Sequence, residues 1–375
     1  LNINIFRIFV SMNKLIIFYV LILSFTTIGQ DKTPYFLTLS NKGGIMTAHR
    51  PFMAHLVRNK TLGFELALSK QQIGKSNLSV KHKFPLNGLA LEYRNFGYDD
   101  VLGSAISLIQ YQNFVIFQSK TNLCLDFKMG AGISYITKKY DKETNPTNNA
   151  IGSNINAKVS FKLELNQFTS RYHFGLGAEL AHFSNGTFQH PNLGLNTLAI
   201  YANIGYNLND RKVFKFDEEK VKEIGGGSKA YVVGEGIFSI SEVMPIPGDA
   251  KKYAVFAGRF SFVKPLNLSW NCEFAIDGVY NASNQYRYLD KNHEPKDVTQ
   301  FGLYTGMSFN YYKSQIIFGL GYYIVDMINP LGRVYNRIGY RYFFNKDVFG
   351  LFNIRANFGK ADFFEFGVGY KFNRK

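Results

Sequence analysis

Two cysteines, Cys124 and Cys272, are the whole thiol content of 375 residues. One pair so far apart makes no disulfide framework, so both are expected to serve packing. Proline is scarce, at ten residues, and tryptophan occurs once. Acidic residues are few: 27 against 43 Lys and Arg, giving a formal charge of +16. Such a deficit favours an anionic partner, whether nucleic acid, an acidic membrane surface or a phosphorylated glycolipid. Beyond residue 31 no apolar run approaches the roughly 20 residues that a transmembrane helix needs. Metal-ligand spacings and phosphate loops are also missing, so no metal and no cofactor is expected. What remains is 16% aromatic residues and 34 glycines, a composition that suits strands better than helices.

The chain opens on Leu1. Met12 begins "MNKLIIFYVLILSFTTIGQ", with Lys14 as a short positive segment and an apolar stretch from Leu15 to Phe25. The pattern predicts a secretory signal peptide cleaved near Gly29 or Gln30, with residues 1–11 as upstream sequence. Residues 1–30 are thus set apart from the fold.

Periodicity sets the fold class. In "TNLCLDFKMGAGISY", Leu123, Leu125, Phe127, Met129, Ala131, Ile133 and Tyr135 share one face. Cys124, Asp126, Lys128 and Gly130 share the other, which is the period of a strand. Sixteen such segments run from 34–40 to 361–372. Many are ten residues or longer and end in aromatics, as tilted membrane strands flanked by an interfacial girdle do. The reading is all-β: a transmembrane antiparallel β-barrel of the bacterial outer membrane, with an even strand number of about 14–16. Longer loops near 141–151, 185–195 and 283–298 are assigned to the outside. Short turns near 167–169, 265–266, 313 and 345–346 are assigned to the periplasm. Residues 31–209 form the first set of strands and 210–227 a charged connection ending in a glycine run. Residues 228–375 are expected to complete the same barrel. The alternative is an eight-strand barrel plus a second β unit.

One stretch carries chemistry: "AHFSNGTFQHPNLGLN", residues 181–196. In the preceding strand Tyr172, Phe174, Leu176, Ala178 and Leu180 form the apolar face, and His182 and Ser184 continue that parity. Polar groups on a lipid-facing surface are costly without a purpose. Asn196 opens the next strand with the matching parity of Leu198, Ile200, Ala202, Ile204 and Tyr206. A serine needs a base to become a nucleophile, and a histidine base needs a third group to fix its tautomer, a task an amide oxygen performs. The pattern assigns Ser184, His182 and Asn196 to these roles. Asn185 and the Gly186 amide are candidate oxyanion donors. His173 has lumenal parity, and Glu179 faces away from His182.

The motif resembles the signature of PagL-type lipid A 3-O-deacylases, which are outer-membrane barrels. Its members place a His-x-Ser-Asn, a small residue, then Pro-Asn-x-Gly and an acid. Here these are His182, Ser184, Asn185, Gly186, Pro191, Asn192, Gly194 and Asn196. "GFELALSKQ", "VLGSAISLIQY" and "GAGISYITKKYD" extend the likeness to the long Bacteroidota members over residues 60–209. The resemblance implies a hydrolase that removes the 3-position acyl chain from lipid A. Ser184 would be its nucleophile and His182 its base, with Asn185, Gly186 and Asn192 supporting the oxyanion and the loop. It further implies lipid A in the outer leaflet as partner rather than nucleic acid, and an outer-membrane location reached by export. The departure is Asn196, where short members carry glutamate. The competing expectation is a non-catalytic, porin-like channel, which would show a wide polar lumen.

Overall fold

The computed structural model describes residues 33–72, 78, 81–209, 229–242, 251–286, 298–328, 331–358 and 360–372. The signal segment and the 210–227 connection lie outside the described residues. The first eight strands are β1 (Tyr35–Thr47), β2 (Thr61–Gln71), β3 (Leu86–Asn95), β4 (Ser104–Gln118), β5 (Leu123–Ile136), β6 (Ile155–Phe168), β7 (Tyr172–Ser184) and β8 (Leu195–Asn207). The second eight are β9 (Tyr231–Glu242), β10 (Lys252–Pro265), β11 (Trp270–Asn281), β12 (Thr299–Tyr311), β13 (Ser314–Asp326), β14 (Val334–Phe343), β15 (Val348–Asn357) and β16 (Lys360–Phe372).

All neighbours are antiparallel, and the chain closes twice. β8 returns to β1, from Phe36↔Asn207 to Thr47↔Asn196. β16 returns to β9, from Phe366↔Phe238 to Phe372↔Val232. Two closed eight-strand barrels therefore replace the single large barrel expected from the sequence. The even total stands, and the arrangement is the alternative of an eight-strand barrel followed by a second β unit. Alternation tells which face a residue takes. It does not tell which edge strand a closing strand will find.

Alternation is visible in every wall. On β7 and β8 the outward side chains include Leu176 at 68% and Ile200 at 75% exposure. Their inward neighbours are buried and mostly polar. An eight-strand barrel is just wide enough for its own side chains to fill, and both lumens are filled by ion pairs. In the first, the Lys42 ammonium lies 2.5 Å from Glu65, 2.5 Å from Glu92 and 3.1 Å from Glu179. Arg94, Lys158 and Lys162 complete the network. In the second, Arg337 and Arg355 each bind Glu365 at 2.8 Å, and Arg341 binds Glu235 at 2.8 Å and Glu273 at 2.7 Å. Buried charges need such partners, since an unpaired one would cost several kcal/mol. His173 is also inside, between Thr38 Oγ1 at 3.0 Å and Asn207 Oδ1 at 3.1 Å.

The end of the first barrel that carries the 185–194 loop is plugged by an apolar cluster. It includes Met46, Met53, Leu56, Phe96, Leu102, Ile136, Ile151, Phe183 and Leu195. This plug gives the loops above it a firm base. The two barrels touch at both ends. At the end opposite the plug, Tyr311 donates to Asn87 Oδ1 at 2.8 Å, and the His82 ring packs 5.2 Å from Phe309. Cys124 and Cys272 sit in different barrels, both as free thiols.

Candidate active site

The register places the histidine and the asparagine directly opposite each other, His182↔Asn196, across β7 and β8. Directly opposed Cβ atoms stand about 5 Å apart, within hydrogen-bond reach of short side chains. His182 Nδ1 and Asn196 Oδ1 are 2.6 Å apart. The amide orientation is fixed from its other side, where Asn196 Nδ2 reaches His49 Nδ1 at 3.2 Å. An amide oxygen only accepts, so the proton sits on His182 Nδ1 and Nε2 keeps its lone pair. That is the tautomer of a general base.

His49 escaped the sequence reading. The sequence reading ends the first strand at residue 40. The strand instead continues to Thr47, which pairs with Asn196. His49 follows two residues later, on the side of the strand that leads to Asn196. The retrievable signal was the shared parity of Leu39, Asn41, Gly43, Ile45 and Thr47, which carries the outward face up to His49. Burial, then the neighbouring Arg50 charge, hold the His49 pKa below its ordinary value. A neutral His49 is what accepting the Asn196 N–H requires.

Ser184 takes an unexpected position. Its parity is outward, but it is only 4% exposed, because the 185–194 loop folds back over it. Its Oγ accepts from Asn192 Nδ2 at 3.1 Å and from the Gly186 N–H at 3.1 Å. Asn192 Oδ1 lies 3.3 Å from the same Oγ and takes the Asn185 N–H at 3.0 Å. Two donors thus converge on the serine oxygen. Among the described residues, Ser184 and His182 share no hydrogen bond. The Asn185 side chain is turned away, donating to Ser153 Oγ at 2.9 Å and Gln189 O at 2.8 Å. It braces the loop, and the side-chain donor beside Ser184 is Asn192.

Gly194 fixes the ring from the far side. Its φ is +77°, and a Cβ there would lie 2.7 Å from His182 Cε1 and 3.2 Å from Nε2. Any larger residue would both strain the backbone and displace the imidazole. Around the rim stand the exposed cations Arg58, Lys60, Lys138 and Lys139. Glu65, Glu92 and Glu179 bring three carboxylates together inside the barrel, but the Lys42 ammonium already occupies their centre. Glu179 is lumenal, as its parity required, and takes no part in the outer site.

Comparison with known proteins adds a family. Residues 76–207 match the family described as lipid A 3-O-deacylase (PagL), and residues 224–374 match the acyloxyacyl hydrolase, C-terminal domain. No curated protein is significantly similar. Among solved structures, the chain is similar to the β domain of the Bordetella autotransporter BrkA, with 10% identity and a TM-score of 0.23. That match covers 91% of this chain and 99% of the other. It is also similar to the translocator domain of NalP from Neisseria meningitidis: 9% identity, TM-score 0.22, coverage 91% and 88%. For CdiB from Acinetobacter baumannii the identity is 9%, the TM-score 0.19, and the chain, 91% covered, spans 60% of that protein's length. Overlaps this slight carry no argument.

Proposed function

The chain belongs to the PagL family of lipid A 3-O-deacylases and is an ester hydrolase; on that premise we propose that it cleaves the 3-O acyl ester of lipid A with Ser184 as nucleophile. The observation that carries the reading is the 2.6 Å bond from His182 to Asn196, which leaves Nε2 as a free base on the face that also bears Ser184. Rotation about Ser184 χ1 exchanges its present partners for His182 Nε2; catalytic bonds are commonly looser before substrate binds. Oγ then attacks the ester carbonyl while its proton passes to Nε2. The tetrahedral oxyanion is met by the Gly186 N–H and Asn192 Nδ2, the two donors that now converge on Oγ. Collapse breaks the bond to the sugar oxygen, which leaves as the alcohol with the proton from His182. Water, activated by the same base, releases the fatty acid and restores Ser184.

The setting suits a lipid substrate. The site sits at the rim of an apolar outer wall, so an acyl chain need not leave its leaflet. The rim cations match the phosphates of lipid A. The filled lumens speak against the porin-like alternative. Export through a cleaved signal peptide and residence in the outer membrane belong to the same proposal. Mass spectrometry of lipid A from cells expressing the wild type should show loss of one hydroxyacyl chain, and Ser184→Ala should leave lipid A intact. Unchanged lipid A with the wild type would sink the reading.

A further inference from the structure

The loop that covers Ser184 is held from two sides, and only one of them belongs to the first barrel. On its own side, Gly194 N–H donates to Ala150 O at 3.0 Å, and Asn185 braces Gln189. The second barrel holds the other side. The Glu242 N–H donates to Thr187 O at 3.1 Å. The Thr187 hydroxyl donates to Asp362 O, and the His190 N–H donates to the Glu242 carboxylate. The Phe364 ring lies so close to Gly186 that a Cβ there would come within 2.5 Å of it. The Lys252 ammonium stands 4.0 Å over the Phe188 ring.

Thr187 is the strained point of this loop. Its φ is +66°, in the left-handed region that a β-branched residue rarely enters. Both its carbonyl and its hydroxyl are tied to the second barrel. Next to it, Gly186 presents the N–H that touches Ser184 Oγ. Release of Thr187 would let its backbone return to an ordinary conformation and swing the Gly186 N–H away from the serine.

We propose that the second barrel is a positioning unit for the active site of the first, and that it acts through Thr187, with Glu242 as a second anchor. This rests on the reading of Ser184 as nucleophile. The first barrel carries every reacting group, and the second sets the aim of one oxyanion donor. Thr187 and Glu242 touch no substrate atom in this scheme; Thr187 acts through the Gly186 amide, and the Glu242 carboxylate through His190 of the same loop.

The test uses the full-length chain folded in detergent, with Thr187→Val, Thr187→Ser, Glu242→Ala and Glu242→Gln. Two rates are measured: deacylation of lipid A, and labelling of Ser184 by a fluorophosphonate, with Ser184→Ala as blank. Heat-modifiable gel migration identifies folded protein. Thr187→Val keeps the shape and removes the hydroxyl, and kcat should fall tenfold or more with KM unchanged. Labelling should slow in parallel. Thr187→Ser and Glu242→Gln keep the polar atoms and should stay within about twofold of wild type, whereas Glu242→Ala should fall. Wild-type rates in folded Thr187→Val and Glu242→Ala would overturn the proposal. So would equal losses in the Ser and Val variants, or a rise in KM with kcat intact. If wild type labels at Ser184 but leaves lipid A untouched, the substrate reading fails while the labelling series still decides the positioning role. A wild-type Ser184 inert to the probe overturns both.

Discussion

Replacement of Asn196 by glutamate tests the imidazole's partner directly. Oδ1 of Asn196 lies 2.6 Å from His182 Nδ1, so a carboxylate oxygen in that place would face the ring as it becomes imidazolium. Charge centres about 4 Å apart attract by about 4 kcal/mol at an effective dielectric of 20. Much of this is offset by desolvation of the carboxylate beside a half-buried ring. The difference between a charge-assisted and a neutral hydrogen bond, about 1–1.5 kcal/mol, is the better measure of what survives. In the proposed mechanism imidazolium forms in the transition state, so the gain should appear in kcat, as roughly a five- to twelvefold rise. The opposing loss is the Asn196 Nδ2 contact to His49 at 3.2 Å, which a carboxylate restores only if His49 presents an N–H instead. Asn196→Glu is therefore expected to retain or raise deacylation, and Asn196→Leu to lower it at least tenfold. Initial rates on purified lipid A, read by mass spectrometry, separate these outcomes. Complete loss of activity in Asn196→Glu, with the barrel folded, would mean that residue 196 is not the third member of the site.

His49 should make activity pH-dependent in a defined direction. Its pKa is lowered, so the neutral form that accepts from Asn196 is fully present above the ordinary histidine value of about 6.5 and is lost as pH falls through the lower folded value. The kcat advantage of wild type over His49→Leu, expected at about fivefold for one hydrogen bond, should hold above that pH and shrink below it in a pH–rate profile. In the lumen, Glu179→Gln leaves the Lys42 and Arg94 charges short of a partner, at a cost of about 3–5 kcal/mol. Its heat-modifiability transition should drop well below that of wild type, while deacylation by the folded fraction is unchanged because Glu179 faces away from His182.

Strand parity was legible in the chain because it is a local property. Successive side chains of a strand alternate whatever lies beside it, so Leu176, Leu180 and His182 could be set on one face and His173 and Glu179 on the other. The pairing of His182 with Asn196 followed from the same parity and from the succession of the two strands in the chain. The extension of β1 through Gly43 and Gly44 was obscured, because two glycines carry no side-chain pattern, and His49 was lost with it.

Closure was decided by tertiary structure alone. The alternation of β8 is the same whether its free edge meets β1 or β9; pairing with β1 and filling the lumen around Lys42, Glu65, Glu92 and Glu179 selected eight strands. The surroundings of Ser184 are non-local only in part. Sequence put it on the outer face, but Asn192, Gly186 and, through Thr187, residues 242 and 362 of the other barrel enclose it. Parity depends on adjacent residues, whereas the loop over Ser184 is anchored by contacts spanning 52 and 175 residues, whose meeting only the folded chain determines.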